Sequence, residues 1–172
     1  MNESASITAA AAIVFYALGF AQLITAQKQT AETMAAASGT QKRVALLGLA
    51  AVLCHAWATF SALVTDAGID LALVHVCNYI AVVMVAVVAA ANSRLPVISV
   101  NLLLFPIAVV NALALLIVKP GNSTQLAICS IQSAHIILSL TAYAGLMTAA
   151  RQSILLAFQE QQLQRLDTGF YR

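Results

Sequence analysis

His55, His75 and His135 lie in apolar runs that contain no acidic or basic residue. An imidazole at membrane depth is costly, and it is kept there by a partner or by a metal. The polar neighbours fall at helical spacing. Gln132, His135, Ser139 and Tyr143 recur at three- and four-residue steps, one stripe on an otherwise apolar helix. His75 shares a face with Asn78, and His55 shares one with Thr59. Lipid offers these groups no partner, so the stripes are expected to face inward, toward one another or a ligand. Two imidazoles approaching from different helices form the usual site of a six-coordinate haem iron, with Gln, Ser and Tyr nearby to fix ring tautomers or hold a propionate. The alternative is that each histidine bonds across helices and does nothing more. Zinc fits less well, because no carboxylate or clustered cysteine completes a tetrahedral set.

The elements that must position these residues follow from composition. The chain has 172 residues, 62% of them hydrophobic and 8% charged. With a mean hydropathy of +0.91, it lies outside the range of soluble domains. Five runs approach the roughly 20 residues that a bilayer core requires: Ile7–Thr25, Val44–Val64, Leu71–Ala91, Val97–Val118 and Leu126–Ala150. The runs lack the alternation of a barrel, so the fold class is all-α, a polytopic transmembrane helix bundle in a single domain. Charged or polar stretches separate the runs at Gln27–Arg43, Thr65–Asp70, Asn92–Pro96 and Lys119–Gln125, and the last three predict tight antiparallel connections. Pro106, with Asn101 and Asn111, predicts a kink in the fourth span.

Lys28, Lys42, Arg43, Arg94, Arg151, Arg165 and Arg172 fall on one side of these spans; Lys119, Asp66 and Asp70 fall on the other. The positive-inside rule then predicts an extracytoplasmic N-terminus and a cytoplasmic C-terminus in a bacterial-type inner membrane. On this topology the three histidines lie between the midplane and the outer surface. Met1–Ser6 has no basic residue, so the first span is not read as a secretory signal. The net charge of +2 forms no basic patch, which argues against nucleic acid as a partner. Cys54, Cys77 and Cys129 form no C-x-x-C or C-x-x-C-H pattern and read as small buried residues. Ser139 lacks a carboxylate third member beside His135, so no nucleophilic enzyme is indicated. From 151 to about 166 the fifth span is predicted to continue as an amphipathic cytoplasmic helix ending before Gly169. Its stripe of Ile154, Leu155, Phe158 and Leu163 calls for cover from another polypeptide.

The segments Leu53-Cys54-His55-Ala56-Trp57-Ala58 and Ser133-Ala134-His135-Ile136-Ile137-Leu138-Ser139-Leu140-Thr141-Ala142-Tyr143-Ala144 resemble the CcsA/HemX-type cytochrome c assembly proteins, and most of all their YpjD-type inner-membrane members. The shared pattern is a membrane histidine on the second helix, then a later helix opening H-[IV]-x-x-S-x-x-x-Y-A and running into a cytoplasmic extension. The resemblance implies a membrane protein that handles non-covalently bound haem for cytochrome maturation. It implies that His55 is a haem ligand within the membrane, and that His135 is the histidine before the haem-presenting region. It assigns no role to His75. Two departures stand out. Family members have further helices beyond the point matching Arg172, so this chain corresponds to an N-terminal five-helix portion. The tryptophan-rich periplasmic motif is also absent, since the single Trp is Trp57. The expected site is therefore His55 and His135 as metal ligands, with His75, Ser139 and Tyr143 beside the cofactor. Cytochrome-maturation proteins or a second copy are the expected partners. The rival readings are a structural subunit without cofactor, and a bis-His b-type electron carrier.

Overall fold

The computed structural model describes residues 3–29, 34–92, 98–118, 125–126, 128 and 131–170. Five helices account for nearly all of them: α1 (Glu3–Gln29), α2 (Met34–Leu63), α3 (Leu73–Asn92), α4 (Ile98–Ile117) and α5 (Ile131–Phe170). Stretches of α1, α2, α3 and α5 are long and apolar enough to cross a membrane, and the described apolar stretch of α4, Asn101–Ile117, is shorter. The chain is all-α, and compatible with a multi-pass membrane protein.

Neighbouring helices form a ring, α1 beside α2 and α4, and α3 beside α2 and α4. The inner seam of α1 is Ala5, Ala9, Ala12, Tyr16, Gly19 and Leu23, and that of α2 is Val44, Gly48, Ala51, His55, Thr59 and Ala62. These four- and three-residue steps are the spacing of interlocking helices, and mostly small side chains let the two backbones approach. Phe105 of α4 fills the remaining gap. A Cβ on Gly19 would stand 2.7 Å from its ring, and one on Gly48 3.3 Å away.

The outside of the ring is more apolar than the inside. On α2 the exposed face is Leu46, Leu49, Leu53, Trp57 and Phe60, whereas the buried face carries His55 and Thr59. In water such a surface would be an aggregation site; in hydrocarbon it is the ordinary arrangement, because lipid tails solvate leucine as well as a core does.

Three short strands that the sequence pattern did not reveal cap one end of the ring: β1 (Val64–Thr65), β2 (Gly68–Asp70) and β3 (Gln125–Leu126). The β1–β2 hairpin pairs Val64 with Ile69 and Thr65 with Gly68, and Gly68 takes a φ of 132°, which favours glycine. Strand β3 pairs with β2, Ile69 opposite Leu126 and Asp70 opposite Gln125. This pairing brings the connection before α5 beside the start of α3. α5 accordingly packs on α3, outside the ring.

Helix limits also differ from expectation. α2 starts at Met34 instead of Val44, since Met34-Ala35-Ala36-Ala37 are strong helix formers and long basic side chains such as Lys42 tolerate the membrane edge. α5 starts at Ile131 because Leu126 is taken into β3, and it runs through Gly169 to Phe170. α4 continues through Pro106. The expected turns at Asn92–Pro96 and Lys119–Gln125, together with Cys129, Arg94, Lys119 and Arg172, lie wholly or largely outside the described residues.

Adding one methyl where Phe105 already fills the gap tests this packing. Gly19→Ala should destabilise the detergent-solubilised protein by about 1–3 kcal/mol. Gly48→Ala should cost less, and Phe105→Leu should relieve Gly19→Ala in the double variant. Additive effects in an unfolding titration would show that the three positions do not share one contact.

Candidate functional site

At one level of the ring, each of the four helices contributes one large side chain: Tyr16, His55, Asn78 and Phe105. All four are almost wholly buried, His55 at 0% exposure. Asn78 donates its amide N–H to the carbonyl of Val74 at 2.8 Å, which leaves its Oδ1 as acceptor toward His55. His55 Nε2 stands 2.8 Å from that oxygen and must be the protonated nitrogen. Nδ1 of the neutral ring is then an acceptor, facing the Tyr16 hydroxyl at 3.4 Å, a long hydrogen bond. The rings of Tyr16 and His55 meet edge to face with centroids 5.8 Å apart, and Tyr16 and Phe105 are 5.5 Å apart. Both nitrogens of His55 are therefore engaged inside the chain.

Energetics decide what the layer does. A hydrogen bond between helices in lipid contributes on average about 0.6 kcal/mol, and about 1.7 at most. A polar group left unbonded in an apolar interior costs roughly 2–7 kcal/mol. The layer therefore adds little stability but strongly penalises any register in which the three polar groups miss one another.

One turn nearer the sheet, the same faces of α2 and α3 carry Thr59 and His75, 3% and 5% exposed. Thr59 Oγ1 has no hydrogen-bond partner among the described residues. His75 Nδ1 lies 3.5 Å from Asp70 Oδ2, within ion-pair range but without hydrogen-bond geometry. The other oxygen of Asp70 accepts the Ala72 N–H at 2.9 Å, holding the turn into α3. A polar column thus runs from the central layer to the sheet.

No protein-family model, curated protein or solved structure matches the chain. Residue roles accordingly rest on geometry.

The geometry separates the histidines expected to work together. α5 faces α3 with Ser133, Ala144 and Thr148, all buried, and with half-buried Ile137, Leu140 and Leu155. The Tyr79 hydroxyl reaches Thr141 Oγ1 at 2.8 Å; Thr141 itself donates to the Ile137 carbonyl, so Tyr79 is the donor. The stripe expected to point inward points away from the ring. Gln132 and His135 are exposed, Ser139 is half-buried and Tyr143 is 60% exposed. The reason is the sheet, which sets α5 on the outer side of α3, where small residues pack closest. His135 is not brought to His55 or to His75, and among the described residues it makes no hydrogen bond. Among these residues, no group of three or more His, Cys, Asp or Glu side chains is placed to hold a metal ion.

Asn78 and Thr59 were legible as face-sharing neighbours of the histidines. Tyr16 was not singled out, although its position in the Ala/Gly seam of α1 is a signal that a polar side chain faces the bundle interior.

Asn78→Ala should destabilise the protein by about 1–3 kcal/mol, because His55 Nε2–H is then buried without an acceptor. His55→Leu with Asn78→Leu should recover most of that loss. If Asn78→Ala is silent in unfolding measurements, the His55–Asn78 bond does not exist in the membrane-solubilised protein.

Proposed function

We propose that the chain is an integral membrane protein of the CcsA/HemX cytochrome c assembly type, handling haem at the open face of α5 without covalent chemistry of its own. The observation that supports this reading is the position of His135: exposed, unbonded, and in line with Ser139 and Tyr143 on the face of α5 turned away from the ring. Haem, when bound, would supply an iron that takes imidazole nitrogens as ligands. His135 fits that role, since its ring is free to turn a lone pair outward. His55 fits it poorly, because either nitrogen would first have to leave Asn78 or Tyr16. Ser139 and Tyr143, one and two turns along the stripe, offer hydroxyls to a propionate or to the His135 ring. The open stripe is thus half of a site, and a second copy or a cytochrome-maturation partner provides the rest.

All five helices span a bacterial-type inner membrane on this reading. Lys42 and Arg43 toward one end of α2, with Asp66 and Asp70 at the sheet end, support a topology with the N-terminus and the sheet outside and the C-terminus inside. His135 then lies close to the outer surface.

A structural subunit is the second reading, favoured by one observation. The Tyr16–His55–Asn78 layer is satisfied within the chain and needs no ligand.

Protein purified in mild detergent from a haem-replete host should show a haem absorbance band. His135→Ala should remove most of it, whereas His55→Leu should keep the band and lower the unfolding midpoint. A wild type without haem, or a His135→Ala protein with the full band, leaves the structural reading standing. A cytoplasm-dependent reporter fused after Arg172 should be active, and activity of a periplasm-dependent reporter there inverts the topology.

A further inference from the structure

Arg151 lies one turn beyond Thr148 and one turn before Leu155, on the face of α5 that packs toward α3. Thr148 is buried, and Leu155 packs against the central core. Arg151 is half-buried: its Nε and both terminal nitrogens are tucked against the bundle without a hydrogen-bond partner among the described residues. The rest of the residue is partly exposed, so that a turn of the side chain brings the guanidinium to the surface. A guanidinium cannot escape this position by losing its proton, and a charge withdrawn from water without a partner is costly even when the residue is only half-buried. α5 offers no compensation. No acid precedes Arg151 in the helix, and Glu160, the next one along, is exposed and on the opposite side by helical periodicity.

Depth identifies what is missing. Twenty residues separate Ile131 from Arg151, and at 1.5 Å per residue they span about 30 Å, the thickness of the hydrocarbon core. Arg151 therefore stands at the opposite membrane surface from the sheet, at the level of the lipid phosphates. A planar fork of N–H donors matches two oxygens of a phosphate.

The geometry points to Arg151 as a phosphate-binding residue that seats the headgroup of an anionic phospholipid against α5 at the end of the bundle opposite the sheet. The seat rests on the membrane placement alone and is independent of haem handling. Its lipid acts as a bound ligand of the folded state, holding the α5 extension to the ring where the packing of α5 on α3 ends.

The test uses the full chain in mild detergent, with the unfolding midpoint read after adding phosphatidylglycerol, phosphatidylcholine or inorganic phosphate. Phosphatidylglycerol should raise the midpoint by several degrees more than phosphatidylcholine, and inorganic phosphate should do little. Arg151→Met replaces an unpaired charge with an apolar group of similar length, so it should fold at least as well without lipid. It should lose the difference between the two lipids, Arg151→Lys should keep part of it, and Arg43→Met, which alters an exposed arginine, should keep all of it. Native mass spectrometry should show phosphatidylglycerol retained by the wild type and lost from Arg151→Met. An unchanged lipid difference in Arg151→Met, or none in the wild type, overturns the site. A full response to inorganic phosphate overturns the lipid as its occupant.

Discussion

In hydrocarbon, burying a leucine against another leucine gains almost nothing over leaving it in lipid, so this bundle must be held by closeness of contact and by hydrogen bonds. The Ala and Gly seams of α1 and α2 meet that constraint by bringing two backbones together, and Phe105 closes the space that the glycines leave. The other contacts follow from that approach. Tyr16 reaches His55 because the α1 and α2 seams mesh, and Phe105 reaches Tyr16 because Gly19 lets the ring in. A side chain at Gly19 would push α4 outward and open the layer that specifies the register.

The histidines illustrate how the same residue type takes opposite roles in one solvent. His55 is enclosed, locked into one tautomer by Asn78 and turned to Tyr16. His135 stands on the rim of the molecule and makes no hydrogen bond among the described residues. The first behaves as a specificity device, contributing a modest energy in the correct arrangement and a large penalty in any other. His75 lies between these extremes, near Asp70 at the turn into α3.

Much of the architecture was legible because membrane depth imposes so strong a pattern. Apolar run length located the helices, and shared faces correctly paired His55 with Thr59 and His75 with Asn78 on the inside. The outward stripe of α5 was misread because the rule that polar groups face inward says nothing about which inside is available. That depended on β3 pairing with β2, a contact made by a few residues with no distinctive signature. Tyr16 escaped notice because an aromatic residue in an apolar run looks like any other until its seam partners are alanine and glycine. Helix limits failed at Met34, where the propensity of an alanine run overrode the charged stop signal, and at Gly169, which α5 runs through.

The 40-residue span of α5 has a mechanical consequence. At 1.5 Å per residue, the helix is about 60 Å long, roughly twice α3, against which it rests. It is secured near its first turn by the sheet and farther along by Ser133, Ala144, Thr148 and Leu155, and the stretch beyond Leu155 overhangs the bundle. His135 and Phe158 thus ride on one unbroken rod, about 35 Å apart by the same rise. Because the helix is unbroken, a rotation of the overhang about the helix axis would turn the His135 face with it.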